Sequence, residues 1–146
     1  MTITIEISGL EQVKSALRKF GKEAEVAIGK DVTATALEIN TAVKKAIQRG
    51  PKTGATYTRG TVTHRASAPG EAPATDTGTL VSSIYFESPS NLSATIGSRL
   101  AYAYYLEYGT ANIAPRPAWL PATQGGQKKL NDRVLKTLER LANEPR

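Results

Sequence analysis

The sequence predicts an α+β fold: a small antiparallel sheet packed by a long N-terminal helix pair and a C-terminal helix, with a long exposed loop. Three observations predict it. Isoleucine alternates with polar residues over positions 3–7, apolar residues recur every three or four positions over 10–47, and the same spacing returns over 130–141. Alternation is typical of a half-buried strand, and the wider spacing is typical of an amphipathic helix. The 146 residues fit a single domain, 1–146.

The N-terminal residues predict a strand followed by the start of a helix. Residues 3–7 place three isoleucines on one face of an extended chain. Ser8 and Glu11 follow at the spacing of a capping box, in which each side chain satisfies a free backbone N–H of a helix start.

One stripe of apolar residues, from Leu10 to Ile47, predicts the helix pair. Gly21 lies within the stripe, and glycine weakens a helix interior by up to ~1 kcal/mol relative to alanine. We therefore expect a break there, between a short first helix and a long second one. Pro51 disfavours helix in the residue before it, so the second helix should end at Gly50. The stripe consists of Leu10, Val13, Leu17, Phe20, Ala24, Ile28, Val32, Ile39, Val43 and Ile47.

Residues 50–78 predict a long flexible loop or an extended ribbon. The segment holds five glycines, three prolines and almost no large apolar side chain, which is typical of exposed loops. The β-forming residues over 57–65 favour a weak ribbon. Asp76 resembles the cap of a single helical turn that points Leu80 and Ile84 inward.

A hairpin and a final helix follow the loop. The hairpin spans residues 83–98, and Pro89-Ser90-Asn91 supplies its turn. The last helix should begin at Pro121, since proline is favoured at the first helical position. Its apolar stripe consists of Leu130, Val134, Leu138 and Leu141.

Four of the six tyrosines lie within seven residues between these elements, at Tyr102, Tyr104, Tyr105 and Tyr108. Tyrosine is favoured where protein surfaces meet, because its ring gives a large contact area at low entropic cost. The other interpretation is a short core helix that buries Tyr102, Tyr105 and Leu106. The sequence leaves both open.

The composition excludes several classes of site. The chain has no cysteine and one histidine, His64, which excludes disulfides, thiolate metal sites and multi-histidine sites. No apolar run approaches the ~18 residues that span a bilayer, and the N-terminus does not resemble a signal peptide, so we expect a cytoplasmic protein. The net charge of +6 favours contact with nucleic acid or indicates a solvated helix face.

The sequence offers no convincing catalytic constellation. His64, Ser67 and Asp76 have the residue types of a triad, but all three lie in the predicted loop and no Gly-x-Ser-x-Gly elbow is present. Residues 76–123 hold only three acidic residues, Asp76, Glu87 and Glu107, and no two of them have a spacing that brings them together. We therefore expect no enzyme, no cofactor and no metal site, and we expect His64 to make one local hydrogen bond.

Two segments carry a family resemblance. The first runs from His64-Arg65 through Pro69-Gly70 to Ser83-Ile84, and the second contains the tyrosines, Gly109-Thr110 and residues 114–122. In this order they resemble the tail-component family of tailed bacteriophages and prophages, whose members are minor tail, tail-completion, neck or head–tail joining proteins. The resemblance covers nearly the whole chain.

The resemblance implies a structural virion protein without catalysis or cofactor. It implies a homo-oligomeric ring, of six copies by the usual symmetry of tails, at the head–tail junction or the head-proximal end of the tail. It also implies other tail or head-connector proteins as partners, DNA passing through the channel with non-specific contact at most, no membrane, and assembly in the bacterial host cytoplasm. The alternative is a basic nucleic-acid-binding protein.

Five residues are the expected subunit contacts. We expect Tyr104, Tyr108 and Trp119 to form one patch, because rings of copies join unlike patches of neighbouring subunits. We expect Arg116 to pair with a carboxylate, of which Glu107 is the nearest in sequence, or to bond local loop carbonyls.

The loop is the second expected contact. We expect the segment with His64, Arg65, Pro69 and Gly70 to become ordered only on assembly, because its composition disfavours folding alone.

Overall fold

The computed structural model describes residues 2–5 and 21–143, for residues 2–5 the backbone alone. The elements in chain order are β1 (Thr2–Ile5), α1 (Lys22–Arg49), β2 (Thr56–Arg59), β3 (Val62–Arg65), α2 (Thr79–Ser82), β4 (Ile84–Ser90), β5 (Ser93–Ser98), α3 (Tyr102–Tyr108) and α4 (Trp119–Asn143). The predicted α+β class is confirmed. The predicted first helix and its capping box at Ser8 lie outside the described residues.

The main sheet has three antiparallel strands in the order β1-β5-β4. Ile96 at its centre is opposite Ile3 on one side and Phe86 on the other. The predicted hairpin is confirmed, but its turn lies at Asn91 and Leu92. Pro89 is inside β4, beyond a register shift that begins at Glu87. An edge strand tolerates proline at such a position because the missing N–H is not needed for pairing.

Helix α1 is the long helix of the predicted pair. Gly21 has φ +74°, a left-handed conformation from which a right-handed helix cannot continue, so α1 begins at the next residue. It ends at Arg49, before Gly50-Pro51, as predicted. Its buried face follows the predicted stripe and packs on the sheet and on α4. The buried apolar residues of α1 are Ala24, Ile28, Val32, Ala36, Ile39, Val43 and Ile47.

Helix α4 packs against α1 over much of its length. It begins at Trp119, two residues before the predicted start at Pro121. Proline is tolerated there because the first turn of a helix has no internal acceptor for its N–H groups. At the helix contact Gly126 is buried, and a Cβ added to it would overlap Cδ1 and Cγ1 of Ile39. The helices can therefore approach closely only with glycine at this position.

Residues 50–78 contain a two-stranded ribbon. Strands β2 and β3 pair antiparallel with each other in a separate sheet, with Tyr57 opposite His64. The β-forming residues over 57–65 predicted this ribbon.

Neither α1 nor any other helix within residues 21–143 is long and apolar enough to cross a membrane.

Replacing Gly126 with alanine should destabilise the protein by about 1–3 kcal/mol, the usual cost of overpacking a buried contact. Gly125 is the matched control, because it is exposed on the same helix and an added Cβ meets no atom within 4 Å. Gly125→Ala should stabilise the protein by about 0.5–1 kcal/mol. Urea unfolding measures both changes, and equal stabilisation by the two substitutions would contradict the close contact of α1 with α4.

Candidate assembly interface

Helix α3 turns its tyrosines outward. Ala103 and Glu107, four residues apart and hence on one face, are buried, whereas the four tyrosines of the helix are between 43% and 54% exposed. The interpretation that buries Tyr102 and Tyr105 is therefore wrong. Leu106 is partly buried, as that interpretation required.

Three of the rings form a continuous aromatic surface. The ring of Tyr104 lies 4.8 Å from that of Tyr108 and 6.0 Å from that of Tyr105, measured between centroids, and meets Tyr105 edge to face. We call Tyr104, Tyr105 and Tyr108 the tyrosine surface. Contiguous exposed aromatic surfaces mark interaction sites more often than isolated exposed rings do.

Glu107 caps the following long helix. Its Oε2 accepts hydrogen bonds from the backbone N–H groups of Ala118 (2.8 Å) and Trp119 (3.1 Å), and its Oε1 accepts one from Leu120 (2.7 Å). Free N–H groups and the helix dipole both favour a negative charge at a helix start. Glu107 is 3% exposed, so the expectation that it is a subunit contact is wrong.

Trp119 belongs to the core. It has no exposed surface, and its backbone N–H is held by Glu107 at the start of α4. Its expected place beside Tyr104 and Tyr108 in a contact patch is therefore wrong. The indole Nε1 is buried and has no hydrogen-bond partner among the described residues.

Arg116 lies beside α3 without pairing with Glu107. Its backbone N–H donates to the carbonyl of Leu106 at 2.7 Å. The expected ion pair with Glu107 is wrong, because the oxygens of that carboxylate are occupied by backbone N–H groups. Nε of Arg116 is buried without an acceptor in the described part of the chain, so the bond to a loop carbonyl is not formed at this atom either.

Gly109 lets the chain return to α3 after the tyrosines. Its φ is +78°, and a Cβ added to it would lie 2.7 Å from the carbonyl oxygen of Ile113. Only glycine fits both constraints. The turn then brings Pro115 and Arg116 back against the helix.

The Pro69-Gly70 turn meets this returning segment. The N–H of Gly70 donates to the carbonyl of Pro115 at 2.9 Å. Glu71 holds the base of the loop by accepting from the hydroxyl and the N–H of Thr53 and from the N–H of Ala68. The hydroxyl of Thr53, followed by the two N–H groups, lowers the pKa of Glu71. The two segments that carry the family resemblance are thus in contact.

Asp76 anchors the ribbon rather than capping a helical turn. Its carboxylate pairs with Arg59 at 2.7 Å and lies 3.3 Å from Nδ1 of His64, whose ring stacks on Tyr57. The expected cap role is wrong, because Gly78 is the residue before α2 and the hydroxyl of Thr77, not the carboxylate of Asp76, accepts from the N–H of Thr79. Leu80 and Ile84 are buried, as predicted.

A cleft of about 260 Å³ opens between the loop, α3 and Arg116. We call it the Arg116 cleft. The polar and aromatic side chains around the cleft include Tyr57, Ser67, Asp76, Thr77, Tyr102 and Arg116.

Within residues 21–143 no group of three His, Asp or Glu side chains is placed to hold a metal ion.

A family model described as "Bacteriophage HK97-gp10, putative tail-component" matches residues 11–109, more than half of the chain. The chain belongs to this HK97 gp10-like family. The matched residues include α1, the ribbon, the β4–β5 hairpin and α3. Membership identifies the chain as a structural component of bacteriophage tails. No curated protein and no solved structure matches it.

The sequence did not predict that Glu107 caps α4 in this HK97 gp10-like chain. Two signals were available. Ala118, the residue before α4, has no side chain able to cap a helix, and Glu107 is the only acidic residue between positions 88 and 131. A helix start without a local cap needs a distant acceptor. The roles of Glu71 and Asp76 had no comparable signal, because they depend on how the loop folds.

Removing the Glu107 carboxylate should destabilise the protein by about 2–4 kcal/mol, because three N–H groups lose their acceptor. Glu107→Ala should show the full loss and Glu107→Gln, which keeps one acceptor oxygen, a smaller one. Glu87→Ala is the control, since Glu87 is exposed on β4. Urea unfolding measures the three changes; equal stability of Glu107→Ala and Glu87→Ala would contradict the cap.

The loop should loosen in acid. Because hydrogen bonds from Thr53 and Ala68 lower the pKa of Glu71 from 4.5, the carboxylate stabilises the loop above that pH, and the effect disappears as the pH falls through the lowered value. The amide proton shift of Thr53 in NMR spectra should titrate with a midpoint below 4.5. Glu71→Gln should abolish this titration. A midpoint at or above the ordinary value would contradict the hydrogen-bonded arrangement.

Proposed function

We propose that this chain is a structural virion protein that forms a homo-oligomeric ring at the head-proximal end of the tail, where it completes the tail or joins it to the head. Six copies would match the usual symmetry of tails. Its partners are other copies and the adjoining tail or head-connector proteins, and it is assembled in the host cytoplasm. The proposal includes no catalysis, no cofactor and no membrane contact.

The tyrosine surface is the observation that carries this proposal. Tyr104, Tyr105 and Tyr108 are each about half exposed, and the ring of Tyr104 contacts both of the others. They stand on a helix that the buried Glu107 joins to the core. Rings held rigidly before contact lose little entropy on binding, which favours affinity.

A ring needs a second, unlike contact on each copy. We assign it to the loop, whose ribbon pairs with no strand of the main sheet. Val62 is 55% exposed near its tip, and Arg65 is exposed on β3. Glu71 and Asp76 hold the base of the loop. The ribbon around His64 and Arg65 and the Pro69-Gly70 turn are already hydrogen-bonded within the chain, and in the ring they are covered by a neighbouring copy. DNA in the channel is contacted non-specifically at most.

The charges on one face, the seam between α1 and α4, favour this proposal over the alternative of a basic nucleic-acid-binding protein. On the seam between α1 and α4, both Lys129 and Arg133 pair with Glu38. The hydrogen bond from Arg133 lowers the pKa of Glu38, which keeps its negative charge in place. A surface built to bind phosphates exposes cations without such internal partners.

Light scattering over a concentration series tests the ring. The mass should rise from 15.6 kDa toward about six times that value, since closed rings have a fixed copy number. The double variant Tyr104→Ser, Tyr108→Ser should remain monomeric. Leu135→Ser is the matched control, because Leu135 is 59% exposed but lies on α4, and it should assemble normally.

Two outcomes would contradict the proposal: a wild-type chain that is monomeric at every concentration, or a double variant that assembles like the wild type.

The rate of trypsin cleavage in the same concentration series measures how accessible the loop is. Cleavage after Arg59 and Arg65 should slow as the assembly grows. Equal cleavage rates in monomer and assembly would contradict the assigned role of the loop.

A further inference from the structure

Arg116 carries a positive charge that no ion pair with another described residue neutralises. Its buried Nε also has no acceptor within residues 21–143. A buried donor without a partner loses its hydrogen bonds to water without replacement, so such a group calls for an explanation. The side chain lines the Arg116 cleft, from which an acceptor can reach it.

We propose that the Arg116 cleft receives an acidic side chain from a second copy of this chain, whose carboxylate accepts the hydrogen bonds of the guanidinium. This inference rests on the proposed function and names the polar half of one subunit contact. A carboxylate matches the two-pronged geometry of arginine and bonds it more strongly than a neutral acceptor does.

The position of the cleft selects a second copy as the source of the carboxylate. Tyr102, which lines the cleft, belongs to the helix that carries the tyrosine surface. The backbone of Arg116 is bonded to Leu106 of the same helix. A neighbour that covers the tyrosine surface therefore also reaches the mouth of the cleft. Apolar contact and a charged anchor side by side are typical of interface hot spots.

The charge already in the cleft leaves Arg116 available. Asp76 is the one acidic residue of the lining, and its oxygens are taken by Arg59 and His64 from the ribbon. Its negative charge is therefore offset, and an incoming carboxylate meets the unpaired guanidinium. Thr77 and Thr79 add hydroxyl groups to the lining.

Several acidic residues are free to supply the carboxylate from the neighbouring copy. They are exposed and make no ion pair with another described residue. These acids are Glu23, Glu25, Glu87, Asp132 and Glu139.

Charge reversal at the cleft tests the inference under conditions in which the wild type assembles. Arg116→Glu should raise the concentration for half-assembly at least about tenfold, because like charges then face each other. Lys128→Glu is the matched control: it makes the same charge change on the exposed face of α4 and should leave assembly unchanged. Unfolding midpoints of both variants show whether the monomer stays folded.

Cross-linking of an Arg116→Lys variant identifies the carboxylate directly. A carbodiimide activates a carboxylate, the new amine attacks it, and an amide forms as the urea leaves. Mixing isotope-labelled with unlabelled chains separates links between copies from links within one copy. An amide between position 116 of one chain and an acidic residue of another supports the inference, whether or not Arg116→Glu folds.

The outcomes separate this inference from the proposed function. Normal assembly of Arg116→Glu, or cross-links from position 116 confined to Asp76 of the same chain, would overturn the cleft assignment. If the double tyrosine variant fails to assemble in that case, the ring proposal still stands. A wild-type chain that never assembles would overturn both.

Discussion

The fold of this chain depends on one buried carboxylate. Helix α4 begins at Trp119 with no capping side chain before it, and Glu107 supplies the acceptor for its first N–H groups from eleven or more residues away. This contact fixes α3 against the start of α4. It leaves α3 one possible inward face, formed by Ala103 and Glu107, so the tyrosines between these two residues and beyond them must face solvent. A structural carboxylate thus determines which side chains of α3 are exposed.

The remaining contacts join the loop to the same place. Gly70 bonds Pro115, and Arg116 bonds Leu106 of α3, so the base of the loop, the proline-rich turn and the tyrosine helix are in contact. Behind them, α1 and α4 pack closely at Gly126 and provide a rigid support. This rigid support and the short exposed helix fit the proposed ring, in which every copy would make the same contact.

Local patterns in the sequence predicted what is determined locally. The apolar stripe predicted α1, and the alternation predicted the β4–β5 hairpin, although its turn lies at Asn91 and Leu92 rather than at Pro89-Ser90-Asn91. The start of α1 directly after Gly21 follows from the backbone conformation of that glycine. The positions of Trp119, Glu107 and Asp76 could not be predicted, because each depends on a partner brought close only by the fold. An aromatic residue near a proline turn has the same local signal whether it is buried or exposed. A carboxylate that caps a helix from far along the chain has no fixed sequence spacing. The sequence around Glu107 therefore predicts an exposed contact residue rather than a buried cap.

The central claim is that the tyrosine surface is buried between copies. Hydroxyl-radical footprinting of the monomeric and the assembled protein tests it most directly, since ring oxidation follows solvent exposure. The account predicts that oxidation of Tyr104, Tyr105 and Tyr108 falls several-fold on assembly, while Tyr85 on the sheet is unchanged. Equal oxidation of these three rings in both forms would contradict it, because the copies would then be joined through another surface.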